Sequence, residues 1–84
     1  MKMQGEYEKV KSKISSLNMD AVAEYKKHLI ATGEYTDFNT RFSWDLLRAA
    51  IGTSAIVGWY DTYKCNDSHI TTLAIKVCKD LKLI

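Results

Sequence analysis

The chain has no proline, only four glycines and only two cysteines among its 84 residues. Without proline no position has a locked φ or a missing backbone donor. Helix can therefore follow helix, with breaks left to glycine and short polar residues. No internal repeat, low-complexity tract or long apolar run is present. The longest uncharged stretch, Ala49 to Tyr60, is too short and too rich in Gly, Ser and Thr to cross a bilayer. The opening Met-Lys-Met-Gln-Gly-Glu lacks the apolar run of a signal peptide. These absences point to a cytoplasmic protein that does not enter a membrane, in which Cys65 and Cys78 are expected as free thiols rather than a disulfide.

What is present fits one small globular domain over residues 1–84. The hydrophobic fraction is 46% and the charged fraction 26%, which excludes global disorder. A chain of this length has an expected radius of gyration of about 12 Å and little room for an enclosed cofactor. The net charge of +2 is unevenly placed, at +2 over residues 1–33, −2 over 34–67 and +2 over 68–84. Nucleic-acid binders concentrate Lys and Arg more strongly, which argues against DNA or RNA as the main partner.

Apolar spacing divides the chain into helices. Tyr7, Val10, Ile14 and Leu17 form one stripe of a helix over about Gln4 to Ser16. Asn18 is placed to cap a second helix, about Met19 to Thr32, with Asp20 near its positive end, Val22, Tyr25 and Leu29 on its apolar face, and Gly33 as its stop. These two helices are expected to pack as a hairpin. Thr36 or Asp37 caps a third helix, Phe38 to Ile51, ended by Gly52. Its apolar residues (Phe38, Phe42, Leu46 and Ala49; Trp44, Leu47 and Ile51) spread around so much of its girth that it should be the central element. Residues Thr53 to Lys64, capped by Thr53 or Ser54, read as a fourth helix, with a short strand over 53–60 as the alternative because of Ile56, Val57 and Gly58. Asp67 or Ser68 caps a last helix, in which Ile70, Leu73, Ala74, Val77, Cys78 and Leu81 repeat at helical spacing. Lys79 and Lys82 suit its negative end. The fold class is all-α, a bundle of four to five short helices.

Residues that could carry chemistry are few. Cys65 and His69 are one loose pair, with Cys78 and His28 scattered, whereas structural zinc sites show two close pairs, so no metal is expected. Asp45, Asp61, Asp67 and His69 could supply acid–base groups, but no nucleophile motif or phosphate loop accompanies them. A helix-turn-helix centred on Gly52 fails on three counts. Arg48 would occupy a small buried position and Gly58 a branched apolar one. The recognition helix would carry Asp61 and no basic residue before Lys64. No cofactor and no enzymatic activity are expected.

The unusual feature is an aromatic and acidic centre: seven of the nine aromatic residues lie between Tyr35 and Tyr63, and residues 34–67 hold five acids. A small core cannot readily absorb Phe38, Phe42, Trp44, Trp59, Tyr60 and Tyr63 together, and exposed aromatics beside charges are what interfaces use. The alternative is that they are core, with hydroxyl and indole groups reaching the surface. Arg41, Asp45 and Arg48 form a polar ladder next to Trp44.

The second half, through Thr40-Arg41, Trp44-Asp45, Arg48-Ala49, Cys65, Asp67, His69-Ile70 and Thr72-Leu73, resembles small accessory proteins of tailed bacteriophages. That resemblance implies a context in which such a protein binds and inhibits a host protein, including defence systems such as CRISPR effectors. The expectation is a non-catalytic interaction protein whose partner is a host protein or protein complex, bound through Trp44, Arg48, Trp59, Tyr60 and Tyr63. The alternative is a small binder of nucleic acid or nucleotide using Lys9, Lys11, Lys13, Lys26 and Lys27.

Overall fold

The computed structural model describes residues 3–33 and 37–84, along which one 3-10 turn (Met3–Glu6) and five α-helices follow one another. The helices are α1 (Tyr7–Ser15), α2 (Met19–Thr32), α3 (Phe38–Ile51), α4 (Thr53–Tyr63) and α5 (Asp67–Asp80). There is no strand among the described residues, so 53–60 is helical and the strand alternative fails. No helix among them is long and apolar enough to cross a membrane. The radius of gyration is 12.6 Å.

Local sequence explains most boundaries. The Asn18 side chain accepts from Ala21 N–H at 3.1 Å, and Gly33 ends α2 with φ 62°, a left-handed conformation that costs glycine nothing. Asp37 caps α3 by accepting from Thr40 N–H at 3.2 Å and Thr40 Oγ1 at 2.6 Å. These two bonds hold its carboxyl below the usual carboxylate range. The other proposed cap, Thr36, lies outside the described residues.

Two expected caps are wrong. Helix α4 has no side-chain cap from Thr53 or Ser54. Gly52, at φ 86°, both closes α3 and starts α4, leaving no room for a separate cap. Helix α5 is capped by Asn66 rather than Asp67 or Ser68. Asn66 accepts from His69 N–H at 3.2 Å, and His69 Nδ1 accepts from Asn66 N–H at 3.2 Å. This reciprocal pair satisfies two orphan donors, which a cap shifted one or two residues later would leave unmet. At its far end the Leu83 N–H reaches the Cys78 carbonyl (2.8 Å) and Lys82 N–H reaches that of Lys79 (2.9 Å), with Lys82 in the left-handed region.

Helix α3 is the hub, and each of the other four helices packs on it. Its buried side chains are Phe42, Ser43, Leu46 and Leu47. Ala49, expected inward, is exposed, because the helix rotates Ala50 rather than Ala49 toward the core. The broadest contact is α3 on α5, where Ser43, Ala74 and Cys78 are all fully buried. Small side chains let the two backbones approach closely. Ser43 Oγ is buried without a conventional hydrogen-bond partner, and the Cys78 thiol is the polar group beside it. Burial pushes that thiol up from its ordinary pKa, and Ser43 opposes the rise.

The expected α1–α2 hairpin does not form. Instead α1 seats Val10 and Ile14 against α3 and α5, and α2 seats Val22 and Leu29 on α3. Apolar stripes on both short helices match α3, itself apolar on several sides, better than they match each other. The Tyr25 and Phe38 rings stack on Phe42 at 6.3 Å and 5.4 Å, filling the α2–α3 seam. Lys26 Nζ donates to the Leu83 carbonyl at 2.6 Å and ties α2 to the segment after α5.

Candidate interaction surface

Because α3 turns Phe42, Ser43, Leu46 and Leu47 inward, its 100° step per residue brings Arg41, Asp45 and Arg48 to its outer edge. Asp45 is the centre of this edge. It accepts from Arg41 Nε at 2.9 Å, from an Arg48 guanidinium nitrogen at 3.1 Å and from the Tyr25 hydroxyl. Its side chain keeps 17% of its surface exposed, against 46% and 48% for the two arginines. Arg48, held from one side by Asp45, lies over the Trp44 ring at 5.0 Å. Trp44 is half-buried, and its indole N–H donates to Thr71 Oγ1 on α5 at 2.7 Å. Ring, guanidinium and carboxylate are thus each fixed by a neighbour.

Tyr60 belongs to the same neighbourhood. Its hydroxyl donates to Asp67 in the first turn of α5, which with burial raises its pKa, while the charge of Arg48 pulls the other way. The structure therefore holds Arg48 over Trp44, with Tyr60 near enough for the Arg48 charge to act on its hydroxyl. Tyr63 is also half-buried at the rim, but its hydroxyl donates to Glu6 of the N-terminal turn. Trp59 is a correction, because its indole is 8% exposed and sits in the core with Ile56. It lies three residues after Ile56, on the face α4 turns inward, and the largest apolar side chain gains most from that position. None of the described aromatics is fully exposed. The core absorbs Phe42 and Trp59 outright and shares the edges of the others. The outward face of α4 is built of small residues, Thr53, Ser54, Ala55 and Gly58, around Val57, which is 59% exposed, with Asp61 one turn further along the same face.

Four of the tyrosines share one arrangement, handing the hydroxyl to a carboxylate on another element: Tyr7 to Asp80, Tyr25 to Asp45, Tyr60 to Asp67 and Tyr63 to Glu6. A carboxylate accepting the phenol proton opposes its ionisation, and the Tyr7 pKa is raised to about 12 by its bond to Asp80 together with burial and charge. Asp80 is held low, chiefly by the same bond.

The groups considered for catalysis or metal binding lie apart. His69 Nδ1 is used by the α5 cap, Asp45 and Asp67 accept from tyrosines, and Asp61 is exposed on α4. Cys65 is buried with its Sγ donating to the Trp59 carbonyl at 3.5 Å, and Cys78 lies in the core. Both are free thiols. No three His, Cys, Asp or Glu side chains converge among the described residues.

The lysines of the nucleic-acid alternative are partly committed elsewhere. Lys11 lies 5.8 Å from the Tyr7 ring centre, Lys26 holds the Leu83 carbonyl, and Lys27 pairs with Glu24 at 3.6 Å. They also divide between α1 and α2, two helices that do not form a joint face.

One feature escaped the sequence reading, a groove of about 410 Å³ between the N-terminal turn and α5. Its walls come from residues some seventy positions apart, so periodicity could not signal it. The contribution of α5 (His69, Thr72, Leu73 and Lys76) does follow a helical stripe. Comparison with known protein families, curated proteins and solved structures finds no match to the chain.

Proposed function

We propose that this protein is a non-catalytic interaction protein that binds a host protein or protein complex through the Trp44–Arg48–Tyr60 edge and the outer face of α4 around Val57. The observation that carries this reading is the fixed Arg48–Trp44 pair. A guanidinium 5.0 Å over a half-buried indole, clamped by Asp45 and backed by Thr71, has already lost the side-chain freedom that binding would otherwise cost. Arginine and tryptophan are the side chains on which interface energy concentrates. On α4 Val57 offers exposed apolar area, with Asp61 one turn away as a polar edge. The phage resemblance of the second half supports a host target and a host-cell cytoplasm, with inhibition of a defence complex as one form of the activity.

Arg48→Ala tests this with little risk to the fold, since the side chain is 48% exposed. Capture of the partner from host lysate should fall at least about tenfold while the melting temperature stays within a few degrees. Lys9→Ala with Lys13→Ala should leave capture intact, and raising salt from 50 to 200 mM should weaken it only mildly. Steep salt dependence together with loss of capture in the lysine variant would instead establish the nucleic-acid or nucleotide alternative.

A further inference from the structure

We infer that the groove between the N-terminal turn and α5 is a binding site for a small amphipathic carboxylate, an acid head on a short apolar tail. Neither Trp44 nor Arg48 lines this groove, so the site stands independently of the proposed interaction surface. Its volume, about 410 Å³, lies within the range of small-ligand sites and is too small for a partner helix. Met3, Leu73 and the Tyr7 ring supply an apolar floor. Met3 and Leu73 are themselves part of the core, and Tyr7 is fixed by Asp80, so the floor is preformed.

The polar groups on the wall select the head. His69 Nδ1 accepts the Asn66 N–H at 3.2 Å, which requires its lone pair there and places the proton of the neutral ring on Nε2. The capping arrangement therefore presents Nε2–H as a donor, with no partner for it among the described residues. Lys76, about two turns beyond His69 on the same stripe, is the one Lys or Arg among the described lining residues. Its ammonium lies 5.5 Å from the Tyr7 ring centre, with Lys11 also against that ring at 5.8 Å. No Asp or Glu is among the described residues that line the groove. Asp80, which pairs with Lys76 at 3.4 Å, lies outside the lining and also holds Tyr7. An incoming carboxylate would share Lys76 with Asp80 and take the His69 donor for itself, a charge-assisted pairing that a neutral head makes only weakly and a cationic head cannot make.

Octanoate is a direct probe, with octanol and octylammonium as controls having the same tail and a different head. Calorimetry on the full chain should show saturable octanoate binding, at least about tenfold tighter than octanol, and none for octylammonium. Proton and carbon NMR should show the largest shifts at the Met3 methyl and the His69 ring. Lys76→Met, which keeps the stem and removes the charge, should erase most of the preference for octanoate over octanol. His69→Gln preserves a side chain able to complete the cap and should weaken octanoate severalfold. Thr72→Trp, at an exposed wall position, should block both ligands. Equal binding of octanol or octylammonium would overturn the choice of head. Absence of saturation at millimolar octanoate, or binding unaffected by Thr72→Trp in a folded variant, would overturn the site.

Discussion

Removing Asp45 should show how much of the α3 edge is held by a single carboxylate. Exposed arginine–carboxylate pairs three or four residues apart on a helix each contribute about 0.3–0.5 kcal/mol. The Tyr25 hydroxyl is different, because it crosses from α2 and meets a carboxylate that retains 17% exposure. A hydrogen bond to a charged acceptor in such a setting contributes about 1.5–3 kcal/mol. Asp45→Ala should therefore cost about 2–4 kcal/mol, lowering the melting temperature by roughly 10–30 °C for a domain of this size. Most of that loss should come from the tyrosine. Paired with Tyr25→Phe in a double-mutant cycle, the interaction energy should be about 1–2 kcal/mol, read from urea unfolding followed by circular dichroism. In 1 M salt the arginine contributions should nearly vanish, since the screening length falls to about 3 Å, while the tyrosine coupling should survive in large part. A coupling below about 0.3 kcal/mol would refute the reasoning and reduce Asp45 to an ordinary surface acid. Asp45→Ala should also weaken partner capture, because it frees Arg48 from its place over Trp44.

Other outcomes follow from the same structure. Leu46→Ala, at the inner face of the hub, should cost about 2–4 kcal/mol, whereas Ala49→Ser on the exposed side should leave the melting temperature unchanged. Ser43→Ala should be neutral or stabilise by up to about 1 kcal/mol, since it removes a buried hydroxyl that has no conventional partner. Lys64→Gly should raise stability by about 1 kcal/mol, because Lys64 ends α4 at φ 52°. The raised tyrosine pKa values imply stability fully present below pH 10.0, the ordinary tyrosine value, and lost as pH rises through the raised values, up to about 12 for Tyr7. The lowered Asp37 and Asp80 values imply stability present above pH 3.8 and lost as acid protonates them. Phenolate absorbance and circular dichroism measured together should show tyrosine ionisation and unfolding rising in step.

The helices themselves were legible from local chemistry. Asn18, Gly33 and Gly52 mark real ends, and the apolar breadth of Phe38 to Ile51 identified the hub correctly. The Asn66 cap was missed because Asp67 and Ser68 are equally plausible acceptors until the reciprocal bond to His69 is seen. Pairing of α1 with α2 was misjudged because an apolar stripe shows that a helix packs, not against which neighbour. Trp59 was misplaced for a related reason. An excess of aromatics suggests exposure, but large rings at a bundle edge can bury a face and anchor a polar tip, as Trp44 does on Thr71 and Tyr60 on Asp67. The groove at Tyr7 and His69 depends on the meeting of opposite ends of the described chain, which no local pattern encodes.

That meeting of ends has a consequence for how the protein comes into being on the ribosome. Tyr7 with Asp80 is separated by 73 residues and Lys26 with Leu83 by 57, so the bonds that close the structure wait for its last segment. Helix α3 can engage α2 and α4 as soon as they emerge, since they are its neighbours in the chain. Helix α1 has part of its seat on α5, and until residues 67–80 are made its apolar stripe, Val10 and Ile14, is incompletely covered. At synthesis rates of about 5–20 residues per second the wait is only seconds, yet during it a nascent chain presents an apolar stripe to chaperones and proteases. A chain stopped after α4 would carry the hub and most of the proposed interaction surface, but would lack Thr71 to hold Trp44 and Asp67 to hold Tyr60. The last helix is thus the step that turns a collapsed chain into a finished one.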